Sequence, residues 1–116
     1  MMNTRMTYLY RDGTNSKVWH KVIFRGEVTE DDKWTIRNAL EDNLYFIPEQ
    51  VGLPLNRRWD PDPDIDHCFC ELEPFEPCTF ELTDEEPTDS RNIHELAKAF
   101  AGVPYWDAVK YDPWRK

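Results

Sequence analysis

The first part of the chain alternates apolar and polar residues with the period of two that is typical of β-strands. Residues 7–11 predict one strand and residues 17–25 predict a second, with a turn at Asp12 and Gly13 between them. One face of the second strand is predicted to carry Val18, His20, Val22 and Phe24. The two strands are therefore predicted to form a hairpin.

Two later segments have the apolar spacing of amphipathic helices. The first is predicted to begin after Thr29, an N-cap residue followed by acidic residues, and to end before Tyr45. The second is predicted to take its N-cap from residues 88–90 and to end at Gly102 in the C′ position. Its apolar stripe consists of Ile93, Leu96, Ala97 and Phe100.

The remaining apolar segments predict three short strands. Residues 45–51, interrupted by Pro48, predict an edge strand, and residues 67–72 and 78–82 predict a hairpin. The residues expected to point inward from that hairpin are Cys68, Cys70, Leu72, Cys78, Phe80 and Leu82. The order β-β-α-β-β-β-α predicts a single α+β domain over residues 1–102, with a mostly antiparallel sheet and two helices on one face. Residues 103–116 are predicted to be an aromatic C-terminal extension.

Charge is distributed unevenly along the 116 residues, whose formal net charge is −9. Residues 1–58 hold nine basic and eight acidic residues, whereas residues 60–89 hold twelve acidic residues and no lysine or arginine. Because phosphate binding needs a basic face, direct binding of nucleic acid is not expected. The charge instead marks one segment as a candidate surface.

The acidic segment suggests a protein-binding module. Its aspartates at positions 60–66, in an extended chain, would recur about every 6–7 Å, and outward glutamates would add a second row. Such a surface would attract a basic, nucleic-acid-binding partner, as a nucleic-acid-mimicking inhibitor of a bacterial defence system (anti-CRISPR or anti-restriction) does. The candidate acidic residues are Asp60, Asp62, Asp64, Asp66, Glu71, Glu73, Glu81, Asp84, Glu85 and Glu86. The competing interpretation is that the acids serve only solubility.

The aromatic C-terminal extension suggests an alternative. Trp106 and Trp114 are residues of the kind that anchor interfaces, so a generic interaction or immunity protein docking through this extension is the second hypothesis. Packing of the extension on its own domain is the competing interpretation.

Recognisable catalytic and metal-binding motifs are not found. The aspartates from Asp60 match part of an EF-hand, but Ile65 stands where glycine is required. The cysteines from Cys68 lack the paired spacing of a zinc site, and no phosphate-binding glycine loop or nucleophile motif occurs. We therefore expect no enzymatic activity, no cofactor and no metal.

Targeting signals are likewise not predicted. No apolar run approaches the roughly 18–20 residues that span a membrane, and no secretory h-region is evident near Met1. The odd count of three cysteines favours reduced thiols and a cytoplasmic location.

Three short stretches carry a resemblance: residues 51–54 (VGLP), Asp66 with His67, and residues 85–89 (EEPTD) before a helix. With these, residues 6–101 resemble a group of small acidic bacterial and mobile-element proteins of uncharacterised activity. The resemblance implies a bacterial or mobile-element origin and assigns no functional residue.

Overall fold

The computed structural model describes residues 2–55 and 62–112. Its strands are β1 (Asn3–Arg11), β2 (Lys17–Phe24), β3 (Tyr45–Phe46), β4 (Cys70–Glu71) and β5 (Phe80–Thr83). Its α-helices are α1 (Glu30–Ala39), α2 (Ile93–Ala101) and α3 (Ala108–Tyr111), and a 3₁₀ helix covers Pro48–Val51.

The strands form one five-stranded antiparallel sheet centred on β1. Strand β2 pairs with β1 as the predicted hairpin, and the sheet order is β2-β1-β4-β3. The α+β fold class with a mostly antiparallel sheet is therefore confirmed.

The predicted hairpin between residues 67–72 and 78–82 is wrong. Strands β4 and β5 both pair with β1, so that Leu9 faces Glu71 and Met6 faces Phe80. Strand β1 is nine residues long, so both short strands can pair with it, one after the other, along the same edge. The connection contains Pro74 and Pro77, which have no N–H to contribute to a hairpin ladder.

The core lies between the sheet and the two longer helices. Alternate residues of β1 and β2 point into it, together with apolar residues of α1 and α2. The largest members are Met6, Tyr8, Phe24, Ile36, Phe46 and Phe100. The opposite face of the sheet, which we call the open face, carries charged side chains that include Arg5, Arg11 and Glu71.

Capping boxes begin both longer helices. Thr29 caps α1 as predicted, and the Thr29 hydroxyl accepts a hydrogen bond from the Asp32 amide at 3.0 Å. The predicted N-cap of α2 at residues 88–90 is wrong, because Asn92 forms the capping box with Glu95. Gly102 is the C-cap of α2, with a φ of −82°, and so lies one position before the predicted C′. The predicted apolar stripe of α2 is buried.

Two residues predicted to point inward are exposed. Cys78 lies in a turn in which the Thr79 amide donates a hydrogen bond to the Glu76 carbonyl. It therefore does not follow the alternation of the strand. Leu82 is 50% exposed because, among the strands that the structure describes, β5 pairs only with β1 and lies at the edge of the sheet. The other four predicted inward residues of this region are buried.

Strand β3 is an edge strand, as predicted, but only two residues long. Pro48 begins the 3₁₀ helix that follows it. Across residues 2–55 and 62–112, the helices are all too short or too polar to traverse a lipid bilayer.

Candidate functional site

The aspartate segment does not form the extended row that the sequence predicts. The amides of Ile65 and Asp66 both donate to the Asp62 carbonyl, at 3.0 and 2.7 Å, so residues 62–66 make a tight turn. Asp60 lies outside the described residues. The turn is stabilised by the Asp62 carboxylate, which accepts the Asp64 amide at 2.9 Å.

Asp66 is directed into the protein and is only 2% exposed. Its carboxylate accepts hydrogen bonds from the Tyr10 hydroxyl at 2.7 Å and from the Asp62 amide at 2.8 Å. Burial, followed by the hydrogen bond to Asp66, raises the pKa of Tyr10 above its usual range. Asp66 therefore holds the turn against β1 through a carboxylate that is buried within the domain.

Three arginines form ion pairs with four other acids of the segment. On the open face, Arg11 contacts Glu71 at 2.8 Å, and Arg5 contacts Glu81 at 3.2 Å and also Glu85. The hydrogen bonds from Thr83 and from Arg5 lower the pKa of Glu85. Near α2, Arg91 contacts Asp89 at 2.9 Å and lowers the pKa of that carboxyl. Three of the ten candidate acids, Glu71, Glu81 and Glu85, are therefore paired with arginines within the domain.

Five acids remain exposed and form no ion pair among the residues that the structure describes: Asp64, Glu73, Glu76, Asp84 and Glu86. Glu73 and Glu76 lie close together on the connection between β4 and β5, where the Glu76 amide donates to the Glu73 carbonyl at 3.0 Å. These two residues border two neighbouring grooves. Glu73 was predicted as a site residue, whereas Glu76 was not. The fold brings both of them beside exposed aromatic rings.

The first groove crosses the open face and has a volume of about 380 Å³. Thr7 and Leu9 of β1 form its floor, Trp19 of β2 stands on one side, and the two glutamates stand on the other. Trp19 is 61% exposed, because it belongs to the face of β2 that no helix covers. Arg11 and the exposed Lys17 also line this groove, which therefore presents an aromatic ring with both carboxylates and cations to solvent.

The second groove lies on the helix side of the same connection. Phe75 contacts the ring of Trp34 with 4.7 Å between ring centroids, and Arg37 lies 5.5 Å over the Trp34 ring. Trp34 is 50% exposed. Glu73 and Glu76 border both grooves, and we call Trp19, Trp34, Glu73, Phe75 and Glu76 together the Trp19–Trp34 surface.

The described part of the C-terminal extension, residues 103–112, packs back on the domain. The Trp106 indole N–H donates to the Ala39 carbonyl at 2.8 Å, and its ring contacts Phe46 and Phe100 edge-on. Trp114 lies outside the described residues. Tyr105, beside Trp106, is 66% exposed and binds Gln50 only through its backbone carbonyl. Trp106 is therefore held against the domain, although its side chain is only partly buried.

The described part of the chain contains no group of three or more His, Cys, Asp or Glu side chains placed to hold a metal ion. Cys68 and Cys70 are buried in the core. Among the histidines, His94 binds the Asp32 carboxylate at 2.7 Å, next to the α1 N-terminus.

Comparison with protein-family models, with curated proteins and with solved structures gave no match.

Proposed function

We propose that the protein is a binding module that docks a basic protein partner through the Trp19–Trp34 surface. The observation that carries the proposal is the exposure of Trp19 and Trp34 on either side of a connection that bears Glu73 and Glu76. Tryptophan is enriched among residues that dominate binding energy, and clustered exposed aromatics mark interaction sites. Glu73 and Glu76 supply the charge preference within a surface that also contains Lys17 and Arg37.

The charge of the whole chain favours the same class of partner. A formal charge of −9 creates a long-range field that accelerates association with a basic protein and weakens as salt rises. The partner class that fits best is a protein whose basic surface binds nucleic acid, which this module would inhibit by occupying that surface. The support for this partner class is the negative sign of the net charge. The spacing of the acids does not support it, because residues 62–66 form a turn and not the extended, phosphate-like row.

The experiment is a capture from a nuclease-treated bacterial extract with wild-type protein and two double variants. Trp19→Ser with Trp34→Ser removes the rings of the proposed surface. Tyr105→Ser with Val109→Ser is the matched control, because it removes two similarly exposed apolar side chains from the C-terminal extension.

We expect a basic protein to be retained by the wild type and by the control variant, and to be lost by the tryptophan variant. Melting by circular dichroism is expected to show both variants folded. Retention by the tryptophan variant with loss in the control variant would assign docking to the extension. Equal retention by both variants, or no basic protein retained by any of them, would overturn the proposal.

A further inference from the structure

The pocket beside β3 and Glu41 is separate from the Trp19–Trp34 surface and has a different chemistry. Its volume is about 430 Å³, and four of its five lining residues carry rings. The lining residues are Glu41, Tyr45, His67, Phe69 and Trp106. We infer that this pocket binds an organic ammonium cation between the faces of its aromatic rings, with Glu41 as the counter-charge.

The rings are arranged as walls around an open space. Tyr45 and Phe69 meet edge to face with 6.4 Å between centroids, and Trp106 borders the opposite, helix side of β3. The faces of aromatic rings carry negative potential and attract cations that approach within about 6 Å. Several rings around one space therefore favour a cation with an apolar shell over a compact hydrated ion.

The Trp106 ring and the backbone of Tyr45 are held in place by contacts within the domain. Trp106 is held by its hydrogen bond to Ala39 and by two core phenylalanine rings. Tyr45 is held by backbone hydrogen bonds in both directions with Glu41, each 2.8 Å long. A site whose side chains are already ordered loses little conformational entropy on binding.

His67 does not compete with the ligand for charge. The Phe69 amide donates to His67 Nδ1 at 3.0 Å, so Nδ1 is an acceptor, and Nε2 then donates to the Arg11 carbonyl at 2.7 Å. This pattern corresponds to the neutral ring, with its proton on Nε2. His67 therefore contributes an uncharged wall.

The charges near the pocket favour a cation. Glu41 is exposed and forms no ion pair among the described residues, and no lysine or arginine lines the pocket in the part of the chain that the structure describes. Arg11 lies close enough to Tyr45 to interact with it electrostatically. The charge of Arg11 is balanced by its ion pair with Glu71. This inference does not depend on the proposed function.

The test is a titration of the whole protein followed through the Trp106 indole N–H resonance by NMR. The probes are tetramethylammonium chloride, the methylamide of N-acetyl-lysine, and tert-butyl alcohol as a neutral molecule of similar shape to the first. We expect saturable shifts with tetramethylammonium and none with tert-butyl alcohol beyond a solvent effect. A shift with the lysine derivative would identify protein side chains as a source of the cation, whereas a shift with tetramethylammonium alone would indicate methylated or free quaternary amines.

Two surface variants assign the binding to this pocket without disturbing the core contacts of Trp106. Tyr45→Ala is expected to weaken tetramethylammonium binding about fivefold, the equivalent of about 1 kcal/mol, and Glu41→Gln is expected to weaken it in the same direction. Trp19→Ala, which removes a ring outside the pocket, is the control and is expected to leave binding unchanged. Equal shifts with tert-butyl alcohol, shifts that sodium chloride reproduces, or equal losses in the Trp19→Ala control would each overturn the inference.

Discussion

Substitution of Asp66 by alanine tests whether this acid supports the fold, as its contacts indicate, or belongs to a docking surface. The Asp66 carboxylate is 2% exposed and accepts hydrogen bonds from the Tyr10 hydroxyl and the Asp62 amide. Removing the carboxylate leaves two donors without this acceptor in a region that water reaches poorly. We therefore expect the turn at residues 62–66 to lose its attachment to β1.

The expected cost follows from those two bonds. A hydrogen bond to a charged group contributes about 1.5–3 kcal/mol, so the loss of two bonds, at the lower end of that range, costs about 3 kcal/mol. For a domain of this size, about 3 kcal/mol corresponds to a decrease in Tm of about 12 °C. This is a large fraction of the free energy of unfolding of a typical small domain.

The assay is urea unfolding followed by tryptophan fluorescence, together with thermal melting. Asp64→Ala is the matched control, because Asp64 belongs to the same turn but has an exposed side chain. We expect the control to change the free energy of unfolding by less than about 0.5 kcal/mol. Equal stability losses for the two variants, or no loss for Asp66→Ala, would refute the structural role of Asp66.

Three further predictions concern stability. Trp106→Ala is expected to lower the free energy of unfolding by about 3 kcal/mol, because the Trp106 ring packs against the core. Tyr105→Ala is expected to have little effect, because Tyr105 is exposed. Urea unfolding measures both variants, and equal losses of stability would contradict the packing of Trp106. Thr29→Ala is expected to cost about 1 kcal/mol by removing the α1 cap, which the same assay measures; an unchanged midpoint would argue against the cap. Burial lowers the pKa of His20 from its ordinary value of 6.5, so between the two values the unfolded chain binds more protons than the folded one. Stability should therefore fall as pH decreases through about 6.5, and His20→Phe should flatten this dependence; an unchanged pH profile would contradict the assignment.

Elements that depend on local sequence pattern could be predicted. The hairpin of β1 and β2, the Thr29 cap and the buried stripe of α2 each follow from residues only a few positions apart. The pairing of β4 and β5 could not, because it depends on the long free edge of a strand more than sixty residues earlier. The sequence pattern predicts which segments form strands, but it does not predict which strand pairs with which.

The acidic surface was predicted least well for the same reason. Burial of Asp66 requires Tyr10, and neutralisation of Glu71 and Glu81 requires arginines of β1, all distant along the chain. A signal for these contacts was nevertheless present, since alternation in the first strand places Arg5 and Arg11 on one face. Similarly, Trp19 lies on the polar side of its strand pattern, which marks it as an exposed aromatic.

The most direct test of the proposed docking surface is the Kd of the purified complex as a function of salt concentration. Glu73→Lys with Glu76→Lys reverses the charge within the Trp19–Trp34 surface, and Asp84→Lys with Glu86→Lys makes the same change in net charge elsewhere. We predict that the wild type binds more weakly as salt rises and that reversal within the surface weakens binding far more than reversal outside it. Equal effects of the two reversals would show that net charge alone acts, and a salt-independent Kd for the wild type would contradict a basic partner altogether.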